Sequence, residues 1–318
     1  MIKTLISLLI IFIFLSEGPC YAFWVWTPKS KTAVNPKFAV KDDPYAQFEW
    51  AMQFFKQYEF GRAAEEFSRL TKNYPDSEWA AEAQYYAGRS YEEMGKYYFA
   101  FQNYQKTIDD YPYSRRVNEI IKRQYNIANI FQTKETSKLM DLELTLSIDR
   151  AVTIYKQIIE NSPFGEYADK SLYKSAECYR RMMQHKDAME AYERIVNDYP
   201  DSKLVPEAKY QLAYTKYEAS LEPEYDQEST DEAINEFKEI SDTTAIPAIA
   251  MEAKKVFKEL KNRKAGSELK VAEFYERQKK YKSAVMYYEE ILRQFPNTDA
   301  AEYAQGKIKV LIQKGEAG

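Results

Sequence analysis

Asn73-Tyr74-Pro75-Asp76-Ser77 returns as Asp198-Tyr199-Pro200-Asp201-Ser202, and looser copies are spread along the chain. They are DYPYS at 110–114, NSPFG at 161–165 and QFPNT at 294–298. Pro75 and Pro112 are 37 residues apart, and so are Pro163 and Pro200. A period in the thirties, with a helical run before each proline and an alanine-rich one after it, is the mark of stacked helix pairs. Proline cannot continue a helix, and it pushes the residue before it out of helical geometry. The reading expects the tyrosine of each copy to end a helix by packing inward. It expects Asp-Ser to cap the next helix with a side-chain oxygen.

Counting back from each proline gives matching columns. Gly88, Tyr91, Ala100, Tyr104 and Pro112 define one unit; Ala51, Phe54, Ala63, Phe67 and Pro75 define the unit before it. Ala176, Tyr179, Ala188, Tyr192 and Pro200 repeat the pattern, as do Ala272, Tyr275, Ala284, Tyr288 and Pro296. Small residues allow close approach of two helices, and the aromatics fill the space between them. These columns resemble the tetratricopeptide repeat, so the expected fold is all-α, a tetratricopeptide-type α-solenoid of at least five helix pairs. The three residues beyond the usual period are placed in the loop after each proline, and Tyr104 and Tyr192 are expected to be buried.

The expected organisation follows. Residues 1–22, with Lys3 before the apolar run Leu5–Leu15 and a small-x-small site at Cys20-Tyr21-Ala22, read as a signal peptide cleaved after Ala22. Cys20 is the alternative, as a site for lipid, although Glu17-Gly18-Pro19 is a poor lipobox. Residues 23–43 read as an extended aromatic and basic linker. Repeats 1–2 occupy 44–112, and repeats 3–4 occupy 113–200 with an insertion at 132–142. Repeat 5, an insertion at 220–230 and an extra helix at 246–264 fill 201–264. A C-terminal repeat and a capping helix fill 265–318. Cys178 is the single cysteine after such cleavage, so no internal disulfide is expected.

Among 318 residues the formal net charge is −4, which makes nucleic acid an unexpected partner. His185 is the single histidine and falls in a helix–helix turn, where packing is the expected role. Carboxylate neighbours such as Glu65-Glu66, Glu92-Glu93 and Glu289-Glu290 are adjacent on helices, so they diverge by about 100° and do not converge on a substrate. No glycine-rich phosphate loop is present. The reading is therefore of a protein that is not an enzyme and has no catalytic residue, metal or cofactor.

One column exceeds the packing pattern. Three residues before the small position stand Phe48, Tyr85, Tyr125, Tyr173 and Tyr210, with Met52 and Phe55 beside the first. On the inner face of the stack this ladder would suit an extended, aromatic-rich peptide, with Phe48 and Tyr85 leading. Alternatively, the rings seal joints between neighbouring repeats.

The stretches FGRAAEEFSRLTKNYPDSEWAAEAQYYAGRSYEEMGKYYFAFQNYQKTIDDYP (60–112), PEYDQESTDEAINEFKEI (223–240) and VAEFYERQKKYKSAVMYYEEILRQFPNTDAAEYA (271–304) resemble the BamD family of outer-membrane assembly subunits. The resemblance implies a periplasmic scaffold at the inner face of the outer membrane. Its amino-terminal repeats would engage unfolded outer-membrane proteins, and its carboxy-terminal repeats the barrel subunit of the assembly machinery. The alternative is another periplasmic tetratricopeptide adaptor, of the Tol-Pal coordinator or envelope-polysaccharide assembly kind.

Overall fold

The computed structural model describes residues 25–26, 33–34, 39–133, 141–220 and 229–316. The expected signal peptide at 1–22, most of the expected linker at 23–43 and most of both expected insertions lie outside the described residues. Thirteen helices are described: α1 Pro44–Lys56, α2 Phe60–Asn73, α3 Ala80–Glu93, α4 Tyr97–Asp110, α5 Val117–Thr133, α6 Asp141–Asn161 and α7 Ala168–Arg181. They continue as α8 His185–Asp198, α9 Val205–Ser220, α10 Ser229–Thr243, α11 Pro247–Arg277, α12 Tyr281–Gln294 and α13 Asp299–Glu316. The fold is an all-α tetratricopeptide solenoid. One small departure lies in the expected linker, where β1 (Val25–Trp26) and β2 (Ala33–Val34) pair antiparallel, Val25 opposite Val34. The chain divides into two compact units, one ending at Ile120 and one starting at Ile121.

Four helix pairs, α1/α2, α3/α4, α7/α8 and α11/α12, close through the same short turn. After α3, Gly95 takes a left-handed conformation (φ 70°), its N–H donating to the Glu92 carbonyl and the Lys96 N–H to the Tyr91 carbonyl. This pair of bonds satisfies the last carbonyls of the first helix while reversing the chain. Tyr58, Met183 and Lys279 hold the same place at φ 62°, 59° and 58°. Only glycine adopts that geometry without a Cβ penalty, so three of these turns carry backbone strain that the packing of their helices offsets.

The punctuation differs in part from the expectation. Two linked turns run through it: Ser77 N–H to Tyr74 carbonyl, then Ala80 N–H to Ser77 carbonyl. The same two steps recur at Tyr111–Ser114–Val117, Ser162–Gly165–Ala168 and Tyr199–Ser202–Val205. No side chain caps α3 or α7, whereas the hydroxyls of Ser114 and Ser202 accept from the Arg116 and Leu204 N–H groups ahead of α5 and α9 (3.2 and 3.1 Å), and Thr298 accepts from the Ala301 N–H of α13 (3.2 Å), as expected; Asp43, which accepts from the Ala46 N–H at 2.7 Å, caps α1. The tyrosines do not simply turn inward either. Tyr111 donates its hydroxyl to the Pro75 carbonyl (3.2 Å), and Tyr199 donates to the Pro163 carbonyl (2.7 Å). Each therefore latches its own repeat to the one before. Tyr74, in the first described repeat, donates to the Lys41 carbonyl at 2.5 Å, so the segment before α1 takes the place of a proline loop.

Inside the pairs, the small column is buried throughout: Ala51, Ala63, Ala100, Ala128, Ala151, Ala176, Ala188, Ala272 and Ala284 expose no surface. Tyr104 and Tyr192 are fully buried, as expected. A Cβ added to Gly88 would sit 2.7 Å from the Tyr104 ring, which explains the glycine in that unit. A rule links two further columns. Where the second helix buries a tyrosine, the first helix places a polar residue four positions after the small one. Glu92 accepts from Tyr104, Gln132 from Tyr155 (2.9 Å) and Glu276 from Tyr288 (2.8 Å), while Arg180 stands beside Tyr192. Where the buried ring is Phe67 or Phe237, the same position holds Phe55 or Tyr217. A buried hydroxyl needs a partner and a phenyl ring does not.

Two boundaries differ from the reading. The extra helix expected at 246–264 does not end there, because α11 runs unbroken for 31 residues and merges it with the first helix of the last repeat. Gly266 inside it costs only about 1 kcal/mol, too little to break a helix packed along its length. The insertion at 132–142 is partly helical, since α6 starts at Asp141 and reaches 21 residues.

Candidate functional site

On a first helix, the ladder position and the residues four and seven further on share one stripe. In the amino-terminal unit this stripe is Phe48, Met52 and Phe55 on α1, then Tyr85, Arg89 and Glu92 on α3. The two residues expected to lead a peptide groove are the least available. Phe48 is 6% exposed and Tyr85 is 1% exposed. Phe48 lies 4.9 Å from the Trp79 ring, 5.6 Å from Phe67 and 6.0 Å from Tyr86. Trp79 and Tyr86 belong to the next repeat and cover it, so Phe48 seals a joint. Tyr85 donates its hydroxyl to Glu119 at 2.5 Å, beneath the Arg116 guanidinium 4.8 Å from its ring. Arg116 in turn grips Glu82 through Nε (3.1 and 3.2 Å) and meets Glu119 at 2.9 Å. Met52 and Phe55 remain half-buried, Phe55 flanked by Phe60 (5.4 Å) and Tyr86 (5.3 Å).

In the carboxy-terminal unit the remaining ladder members, Tyr125, Tyr173 and Tyr210, are half-buried. Tyr125 lies 5.0 Å from Tyr167, Tyr173 meets Tyr192 edge-on at 5.6 Å, and Tyr210 meets Phe237 at 6.0 Å. Burial, more than any neighbouring charge, pushes the Tyr210 hydroxyl up to about 12, so it stays protonated and able to donate.

The carboxy-terminal unit also has a cavity of about 620 Å³ lined by Gln132, Glu177, Arg180, Arg181, Met183, His185 and Glu218. Arg180 binds Glu218 through two parallel bonds of 3.0 Å, donates to Gln211 as well, and lies 5.0 Å from the Tyr214 ring. Arg181 donates to the Gln132 carbonyl (2.5 Å), and the Gln132 amide donates to Glu177 (2.9 Å). The volume suits a side chain or a short stretch of extended backbone. Its lining residues carry both hydrogen-bond donors and acceptors, while most of the exposed wall is apolar. Sequence reading missed it, because Gln132, Arg180 and Glu218 lie on three helices and spacing does not bring them together. The available signal was Arg180 itself, a cation where the neighbouring units carry Gln132 and Tyr217.

The residues weighed for chemistry are packed. His185 is 6% exposed at the start of α8. Cys178 is fully buried, and burial pushes its thiol up to about 12, far from a reactive thiolate. Among the described residues, no group of three His, Cys, Asp or Glu side chains is arranged to hold a metal. No described helix is long and apolar enough to cross a membrane.

Two family models match the chain. One, described as an outer membrane lipoprotein family (YfiO), matches residues 129–312; a tetratricopeptide repeat model matches 45–77 and 82–114. The chain is 24% identical over 154 residues to the outer membrane protein assembly factor BamD of Xylella fastidiosa strain 9a5c, and equally to that of strain Temecula1. The match covers 45% of this chain and 53% of each relative, so the chain spans about half the length of the curated relatives it matches. A solved tetratricopeptide repeat protein from Parabacteroides merdae superposes with a TM-score of 0.34 at 13% identity, over 85% of this chain and 98% of that one.

Proposed function

The chain belongs to the outer membrane lipoprotein family YfiO, and from that membership we propose that it is a non-enzymatic periplasmic scaffold for outer-membrane protein assembly. The observation that carries this is the family match over 129–312, which runs from within α5 into α13 and takes in the cavity and the half-buried ladder residues Tyr173 and Tyr210. The partners in this reading are unfolded outer-membrane proteins and the barrel subunit of the assembly machinery, on the inner face of the outer membrane. Client contact falls to the ladder members with surface to offer: Met52 and Phe55 in the amino-terminal unit, and Tyr125, Tyr173 and Tyr210 in the other. Phe48 and Tyr85 stand behind them as packing.

Crosslinking in intact envelopes, followed by purification and mass spectrometry, tests the reading. The expected crosslinked partners are the assembly barrel subunit and immature barrel proteins. Recovery of Tol-Pal components or peptidoglycan enzymes in their place would instead identify an adaptor of another envelope system. Processing has its own test, since the family match begins at residue 129 and does not reach Cys20. Intact mass should show a chain starting at Phe23; a diacylglyceryl group on Cys20 would replace that start.

A further inference from the structure

The turn between α11 and α12 differs in charge from the other described turns of its kind. In the first, Glu59 pairs with Arg62 at 2.8 Å; in the second, Glu93 pairs with Arg89 at 3.0 Å. In the third, between α7 and α8, Arg180 and Arg181 are taken up by Glu218 and the Gln132 carbonyl. In the last repeat, Lys270, Phe274 and Arg277 follow one another along one face of α11 and lead into Lys279, Lys280 and Lys282. All six are exposed, Phe274 by 50%. The nearby acids are largely spent. Glu276 is occupied by Lys307 (2.9 Å) and Tyr288 (2.8 Å), and Glu273 faces Arg277 at 3.9 Å. No ion pair involves Lys270, Lys279, Lys280 or Lys282 among the described residues.

We propose that this edge of the last repeat rests on an anionic phospholipid surface, with Phe274 at headgroup depth. The inference rests on the outer-membrane placement proposed above. Lysine favours this occupant over an acidic protein. Its ammonium is a strongly hydrated point charge, depleted from the cores of protein interfaces, where arginine dominates. A diffuse layer of phosphates needs only proximity of charge, and an exposed aromatic beside lysines is the usual partner of an interfacial layer.

The test is sedimentation of the mature, lipid-free chain from Phe23 with vesicles of phosphatidylcholine alone or mixed with phosphatidylglycerol. Binding is expected to the mixed vesicles, to weaken as salt rises, and to fall by more than about tenfold in the Lys279→Gln/Lys280→Gln/Lys282→Gln variant. The Lys254→Gln/Lys255→Gln/Lys258→Gln variant, which removes the same charge from exposed positions earlier on α11, should bind like the wild type. Circular dichroism confirms that both variants keep their helices. Equal binding by the first variant, equal binding to neutral vesicles, or capture of an acidic protein by this turn with no vesicle binding would each overturn the proposal. Because the vesicles contain only lipid, failure to recover assembly subunits from envelopes would leave this result standing on its own.

Discussion

Helix pairs α1/α2 and α3/α4 share a plan and differ in how they fill it. The first closes over Phe67 with Phe55 at the partnering position; the second closes over Tyr104 with Glu92 there. The first turns through Tyr58 in a left-handed conformation, the second through Gly95. The first protects its ladder ring, Phe48, with Trp79 and Tyr86; the second pins Tyr85 with Glu119 under Arg116. One repeat backbone thus accepts an apolar or a polar interior, with the buried hydroxyls of Tyr104, Tyr155 and Tyr288 each receiving a partner. Exchanging a hydroxyl without its partner is what the pattern forbids.

The largest test removes the rings themselves. Phe67→Ala and Tyr104→Ala should each cost about 3–5 kcal/mol in denaturant unfolding, because both side chains are fully buried. A loss below about 1 kcal/mol at either site would show that the two pairs do not share a packing register. A middle-sized test exchanges the chemistry. Tyr104→Phe should cost about 1 kcal/mol by removing the hydroxyl from Glu92. Adding Glu92→Phe, which copies the first pair, should recover part of that loss, and a double-mutant cycle reads the coupling. Strict additivity would mean that the tyrosine–glutamate correspondence is incidental. The smallest effect is in the turns. Gly95→Ala should destabilise by about 1 kcal/mol, whereas Tyr58→Gly should gain about half that, once its edge contact with Phe60 is subtracted. Equal and opposite changes would mean that the Phe60 contact contributes nothing.

Spacing revealed the fold because the residues that decide it are local. Ala51 with Ala63 and Ala176 with Ala188 need only one helix, one turn and one helix to be recognised, and the columns fixed where each tyrosine would be buried. The correspondence between Tyr104 and Glu92, or Phe67 and Phe55, was also present in the letters, readable by comparing columns within the one chain. The fate of the ladder was not. Phe48 is covered by Trp79 and Tyr86, residues of the following repeat whose own directions depend on how that repeat packs. The cavity was hidden for the same reason, since Gln132, Arg180 and Glu218 meet only after three helices are placed.

The tyrosine latches have a mechanical meaning. Tyr111 and Tyr199 tie the Pro112 and Pro200 loops to the Pro75 and Pro163 loops before them, so a pull along the chain at these two joints loads a hydrogen bond as well as apolar contacts. Phe295 occupies the same column in the last repeat and has no hydroxyl to offer. At this column the joint holds by burial, which yields gradually under tension where a hydrogen bond gives way abruptly. The joint at Phe295 should therefore lengthen more gradually under load than the two that Tyr111 and Tyr199 latch.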